Sequence, residues 1–162
     1  NVRNQIDWNP EWSRRSLGMA TYAALKQLGK NGLAALLERT CKYARLLVSQ
    51  IGALHGAQIV RLPQINQGLV RFLDTALYAK ESDHDRRTRA VIEAINKSGE
   101  AFFSATIWRG RYCMRVSVCN WRTGMEDITR AIDITKKILD MYVNRHEKII
   151  PLARKNNKKH CV

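Results

Sequence analysis

The hairpin pattern over residues 101–118 constrains the fold more than any other part of the sequence. Two strand-like segments, residues 101–108 and 111–118, are separated by Arg109-Gly110, which suits a tight two-residue turn. Successive side chains of a strand point to opposite faces of a sheet. The second segment therefore has one apolar face and one mixed face. The apolar set is Tyr112, Met114, Val116 and Val118, and the mixed set is Cys113, Arg115, Ser117 and Cys119.

The first third of the chain has helical periodicity. Apolar residues recur at helical spacing over residues 12–28 and again over residues 33–51. Gly29 suits the end of the first helix and Asn31 the cap of the second. The predicted buried face of the second helix consists of Leu33, Leu37, Cys41, Ala44, Val48 and Ile51.

Two short strands and two more helices complete the pattern. Residues 57–61 and 68–73 have strand composition, and a helix is predicted from Ser82 to a stop at Gly99. A capping box, T-G-M-E at residues 123–126, predicts the start of a last helix. The predicted buried residues are Val91, Ile92 and Ile95, then Ile128, Ile132, Thr135, Leu139 and Tyr142. The order α-α-β-β-α-β-β-α favours an α+β fold in which helices cover an antiparallel or mixed sheet.

The charge of the chain is strongly basic. Its 28 Lys and Arg against 14 Asp and Glu give a net charge of +14, which would attract a nucleic acid or another acidic partner. The excess is scattered, however, and only the tail around residues 154–159 is a continuous basic run. No RNA-binding or helix-turn-helix signature accompanies it, so a nucleic-acid partner is disfavoured. No apolar stretch reaches the roughly 18 residues of a transmembrane helix, so no membrane partner is predicted.

The side chains that usually carry chemistry form no recognisable site. The four cysteines (Cys41, Cys113, Cys119 and Cys161) lack C-x-x-C spacing, which predicts reduced thiols in a cytoplasmic protein. The four histidines (His55, His84, His146 and His160) lack metal-ligand spacing, so no metal site is predicted. Phosphate-binding glycine motifs and nucleophile motifs are also missing. We therefore predict no catalytic residue within this chain.

Arg115 is the exception, because it lies in the middle of an apolar strand. Its planar guanidinium suits bidentate binding of a carboxylate. Two plainer interpretations stay open from periodicity alone, namely a salt bridge across the sheet and a position that simply faces solvent.

Four ordered motifs resemble one enzyme family. They are W-S-R-R at residues 12–15, L-K-Q-L-G-K-N-G-L at 25–33, N-Q-G-L-V-R-F at 66–72 and M-R-V-S-V-C-N-W-R-T at 114–123. Together they resemble the C-terminal segment of group II decarboxylases, which use pyridoxal phosphate (PLP) to decarboxylate aromatic amino acids, glutamate, histidine or diaminobutyrate. The resemblance covers roughly residues 5–145.

This resemblance implies a fold and a role for Arg115. The fold is the C-terminal small domain of the aspartate-aminotransferase type, called fold type I. It implies a lead-in segment at residues 1–32, the small α+β domain at 33–150 and a frayed basic tail at 151–162. The resemblance matches Arg115 to the family arginine that binds or faces the substrate carboxylate. The implied partners are an N-terminal cofactor-binding domain, a second copy in a homodimer and a small amino-acid substrate.

The chain also departs from the family. The lysine that binds PLP in these enzymes follows a histidine, and no His-Lys pair occurs here. The cofactor-stacking histidine and the pyridinium-binding aspartate belong to the same missing part, and the chain begins at Asn1 rather than Met. We therefore expect a processed protein or a piece of a longer one: a fragment of a cytoplasmic lyase of carboxylic acid metabolism, inactive alone and without bound PLP. The alternatives are a small basic α+β binding module and an aminotransferase of the same fold.

Overall fold

A computed structural model describes Trp8 and residues 17–156, with side chains described over residues 18–142. In this part of the chain three helices and four strands follow one another in an α+β order. The predicted helix start at Trp12, the end of the basic tail and Cys161 lie outside it. The elements are α1 (Leu17–Gly52), β1 (Ala57–Arg61), β2 (Gln67–Phe72), α2 (Glu81–Ser98), β3 (Ser104–Trp108), β4 (Arg111–Ser117) and α3 (Met125–Asn156).

The four strands form one antiparallel sheet in the order β1-β2-β4-β3. Of the two predicted sheet types, the antiparallel one is therefore observed. The hairpin between β3 and β4 turns at Arg109 (φ 50°) and Gly110 (φ 76°), the left-handed pair that a two-residue turn of this kind needs. The hairpin predicted from the sequence is confirmed, although β3 begins three residues later than predicted.

Helix α1 is interrupted at Gly29, as the sequence predicts. Gly29 has φ 61° and ψ −176°, a conformation outside the helical region that glycine adopts without a Cβ clash. The chain divides into two compact units, Asn1–Leu36 and Leu37–Val162. In the first unit the described side chains of residues 18–31 are all exposed.

The core lies in the second unit, between the helices and one face of the sheet. It includes Ala44, Val48, Ile51, Val70, Phe72, Val91, Ile92, Ile95, Met114, Val116, Ile128 and Leu139. The prediction for α1 was wrong at Leu37, which is 52% exposed, because the buried stripe begins only near Ala44. Periodicity identifies the apolar face of a helix, but not the length of that face that other elements cover.

The two later helices begin with acidic side chains that hold backbone N–H groups. At α2, Asp83 accepts a hydrogen bond from the backbone N–H of Lys80 at 2.9 Å, and Gly99 ends the helix in the left-handed conformation. At α3, Asp127 accepts from the N–H of Gly124 at 3.0 Å. The capping box predicted over residues 123–126 is therefore not observed: the acid that accepts is Asp127 rather than Glu126, and Gly124 has no side chain to complete a box. The predicted buried stripe of α3 is confirmed, with Ile132 and Tyr142 only partly buried.

Candidate functional site

The two faces of the sheet have opposite character. The helices pack on the face that carries Val70, Met114 and Val116. The other face, which we call the outer face, carries Arg61, Gln67, Leu69, Thr106, Trp108 and Arg115. Alternation along β4 thus predicted the two faces of the strand correctly, although Cys113 on the outer face is fully buried.

Arg115 lies in the middle of the outer face. It pairs with Leu69 of β2 on one side and with Ser104 of β3 on the other. Its Nε donates a hydrogen bond to the Ser104 Oγ at 3.0 Å, and its side chain is exposed. Within the described part of the chain no carboxylate forms an ion pair with Arg115, so the cross-sheet salt bridge is not seen there.

A cleft of about 260 Å³ opens on the outer face beside Arg115. Its other lining residues are Arg61, Gln67, Gly68, Leu69, Thr106 and Trp108. Arg61 and Trp108 come from opposite edge strands, yet the guanidinium of Arg61 lies 5.6 Å from the centre of the Trp108 ring. This cation–π contact forms one wall of the cleft. Two guanidinium groups and no carboxylate line the cleft, so it favours an anion.

Gly68 explains how Arg61 reaches this position. A Cβ at Gly68 would lie 2.8 Å from both Pro63 and Val48 and 2.9 Å from the carbonyl oxygen of Arg61. Only glycine allows β1, the loop after it and α1 to approach β2 so closely. No local sequence pattern predicts the position of Arg61, because it depends on the close approach at Gly68 and on a register shift between Ile59 and Arg61.

Arg71 is a second arginine that sequence reasoning missed, and its role is different. It is 1% exposed and donates to Glu81 at 2.8 Å and to Asp85 at 3.1 Å. Asp85 also accepts the backbone N–H of Tyr112. The hydrogen bond from Arg71 lowers the pKa of Glu81 below its ordinary value. These contacts join β2, α2 and β4, so Arg71 supports the fold.

The remaining candidates from the sequence do not form a site. In the described range no group of three or more His, Cys, Asp or Glu side chains could hold a metal ion. His84 accepts the backbone N–H of Asp74 through Nδ1, which is a structural contact. Cys41, Cys113 and Cys119 are free, and burial raises the pKa of the Cys113 thiol. None of the described helices has an apolar stretch long enough to cross a membrane.

Solved structures with the same fold include decarboxylases. Oryza sativa TDC with PLP and tryptamine matches 88% of this chain with a TM-score of 0.75 at 20% identity. Catharanthus roseus tryptophan decarboxylase with L-tryptophan matches 83% with a TM-score of 0.70 at 17% identity. The glutamate decarboxylase domain of a Vibrio parahaemolyticus transaminase–diaminobutyrate decarboxylase matches 73% with a TM-score of 0.59 at 14% identity.

The chain has the fold of a segment of group II PLP-dependent decarboxylases. It spans 30%, 27% and 24% of these three decarboxylase chains, respectively. No protein-family model matches the sequence, and no curated protein is significantly similar to it. The likeness to the decarboxylases therefore concerns the fold alone.

The residues described here do not fit the cofactor of those decarboxylases. A PLP enzyme needs a lysine amine within reach of the cofactor aldehyde. The cleft is lined by arginine, glutamine, glycine, leucine, threonine and tryptophan, and none of these lining residues is a lysine. The lysines of the described range belong to α1, α2 and α3 or to the cap of α2. Among the described residues the cleft is therefore lined by two guanidinium groups and by no lysine that could hold the cofactor.

Proposed function

We propose that this chain is the C-terminal part of a PLP-dependent amino-acid decarboxylase and supplies the substrate-carboxylate side of its active site. The observation that carries the proposal is the exposed Arg115 on the outer face, without a carboxylate partner among the described residues. The fold likeness supports the proposal. Oryza sativa TDC and Catharanthus roseus tryptophan decarboxylase each match more than four-fifths of this chain, and this chain covers less than a third of either one.

In this proposal Arg115 binds and orients the substrate carboxylate. The Ser104 hydroxyl accepts from Nε, which leaves the two terminal nitrogens free to form a bidentate pair. PLP supplies the electron sink for decarboxylation. A contact that merely held the leaving carboxylate tightly would stabilise the ground state, so the contribution of Arg115 lies in orientation.

The other components belong to the rest of the enzyme. An N-terminal domain brings the lysine that holds PLP, and the whole enzyme is a cytoplasmic homodimer of the fold type I class. The substrate is a small amino acid. On its own, the 162-residue chain should release no CO2 from amino acids. PLP should not become attached to one specific lysine after borohydride treatment. A single labelled lysine in mass spectrometry would contradict this assignment.

The test uses the full reading frame that encodes this chain, with CO2 release as the assay. Arg115→Met should lower kcat/KM by about 30- to 1000-fold, the usual loss for a preorganised charged contact of 2–4 kcal/mol. Arg115→Lys should lower it less, because charge is kept and the bidentate fork is lost. Arg45→Met, which removes an exposed charge of α1, should leave it unchanged. A lower thermal midpoint with unchanged kcat/KM would instead make Arg115 structural.

A further inference from the structure

The cleft beside Arg115 contains a second guanidinium that the proposed chemistry does not use. Arg61 pairs with Leu69 across β1 and β2, and Leu69 pairs with Arg115 across β2 and β4. The two arginines therefore flank one residue in a single row across the sheet. Two strand spacings place their backbones about 10 Å apart. Both side chains line the same cleft, with the buried Leu69 between them.

Arg61 has no acidic partner to neutralise it within the described residues. Its polar contact is a long hydrogen bond of 3.4 Å from NH2 to Gln64 Oε1, and its guanidinium rests near the Trp108 ring. The aromatic ring holds the guanidinium in place and leaves its edge N–H groups available. An exposed arginine held in this way on a cleft wall is prepared to bind an anion.

The lining of the cleft separates three classes of amino acid. A cationic side chain would meet two guanidinium groups and no carboxylate. An aromatic side chain would need a free ring face, but Trp108, the aromatic residue of the lining, has Arg61 at 5.6 Å and Arg109 at 5.9 Å from its ring. An acidic side chain would bring a second anion to Arg61 while its methylene groups contact Leu69.

We infer that Arg61 is the specificity-determining residue and that the substrate is an acidic amino acid. Its α-carboxylate pairs with Arg115 and its side-chain acid pairs with Arg61. This inference rests on the proposed function, since it takes as given that Arg115 pairs with the α-carboxylate of the substrate. It adds the substrate class, which neither the fold likeness nor the sequence motifs determine.

The kinetic test compares L-glutamate, L-leucine and L-tryptophan as substrates of the full reading frame. The wild type should release CO2 fastest from L-glutamate. Arg61→Gln should lower kcat/KM for L-glutamate about tenfold, mainly by raising KM, since one charge-assisted hydrogen bond is worth about that factor. The value for L-leucine should not change. Arg45→Gln removes the same charge from α1 and should change neither. A wild type that prefers L-tryptophan would overturn the inference. So would an Arg61→Gln variant whose kcat/KM falls equally for L-glutamate and L-leucine.

A binding test separates this inference from the proposed function. Glutarate should raise the thermal midpoint more than butyrate at equal ionic strength, and Arg61→Gln should abolish the difference. Arg115→Met should weaken the effect of both acids. If Arg115→Met abolishes turnover while Arg61→Gln changes neither assay, the proposed function stands and the acidic-substrate inference fails. If no amino acid is decarboxylated, the proposed function fails and the glutarate difference alone decides the role of Arg61.

Two further outcomes concern Arg61 itself. If Arg61→Gln weakens the retention of PLP and leaves substrate preference unchanged, Arg61 binds the cofactor and the inference is wrong. Arg61→Lys keeps the charge. It replaces Arg61→Gln in the binding test if circular dichroism shows that Arg61→Gln misfolds. It should retain part of the preference for glutarate over butyrate. Complete insensitivity of that preference to Arg61→Lys and to Arg61→Gln would also reject the assignment.

Discussion

The two faces of the sheet differ in their contributions, because one face packs in the core and the other carries the cleft that we propose for substrate binding. The covered face is apolar, since Val70, Met114 and Val116 pack there against the helices with no exposure. The outer face has Arg61, Arg115 and Trp108 exposed around a cleft. A strand alternates between these environments at every residue. One strand, β4, therefore packs in the core through Met114 and Val116 and also presents Arg115, the group that we propose for substrate binding.

Two buried arginines depart from this division. Arg71 is on the outer face but contributes to stability, because it is buried against Glu81 and Asp85. Arg87 of α2 is only 5% exposed, and its three side-chain nitrogens have no hydrogen-bond partner among the described residues. Its guanidinium lies 5.8 Å from the Tyr142 ring. The predictions below test the division first on its regular members and then on these exceptions.

The largest effect on stability is expected at the covered face. Val116→Ala should lower the free energy of unfolding by about 1–3 kcal/mol, because it removes buried methyl groups from a residue with no exposure. The control is the next residue, since Ser117 is exposed and Ser117→Ala should change stability by less than about 0.5 kcal/mol. Denaturant midpoints of both variants give the measurement. Equal midpoints for the two variants would mean that side chains on the two faces contribute equally to the stability of the protein.

Arg71 should behave as a stabilising residue although it lies on the outer face. Arg71→Met should cost about 1.5 kcal/mol, since it removes two hydrogen bonds between charged groups. The loss is moderate because the carboxylates left behind, Glu81 and Asp85, still reach solvent. Arg115→Met is the matched control on the same face and should leave the denaturant midpoint nearly unchanged. A larger loss from Arg115→Met than from Arg71→Met would reverse these two roles.

Arg71 and Arg115 also show how far the sequence predicts the structure. Both lie in the middle of an apolar strand segment, V-R-F and M-R-V, and local periodicity treats them alike. The strands, the hairpin turn and the direction of Arg115 follow from local rules and were predicted. The burial of Arg71 depends on Glu81 and Asp85 of α2, which lie 10 and 14 residues further along the chain. The position of Arg61 beside Trp108 depends on the whole width of the sheet, so no local pattern could predict it.

Replacing Arg87 should change the free energy of unfolding in the opposite direction from replacing Arg71. A buried charge without a partner costs free energy, so an apolar side chain of similar length should be better tolerated there. Arg87→Met should raise the free energy of unfolding by about 1 kcal/mol, less whatever the Tyr142 contact contributes. Arg45→Met removes an exposed charge of α1 and should stay within about 0.5 kcal/mol of the wild type. A lower denaturant midpoint for Arg87→Met would indicate that this guanidinium has a stabilising partner in solution.

The smallest expected effect is a pH dependence from the carboxylate that Arg71 holds. The hydrogen bond from Arg71 lowers the pKa of Glu81 in the folded state. As pH falls, the Glu81 carboxylate therefore becomes protonated at a higher pH in the unfolded chain than in the folded protein. The contribution of Glu81 to stability is complete above the unfolded-state pKa of about 4.3 and disappears as pH falls through the lower folded-state pKa. The difference in thermal midpoint between wild type and Glu81→Gln should thus be present at pH 6 and narrow towards pH 3.

The control is Glu93→Gln on the same helix. Glu93 is exposed and forms no ion pair with any described residue, so its variant should show no such narrowing. If both variants respond to pH alike, the effect comes from the net charge of the protein rather than from the contact with Arg71.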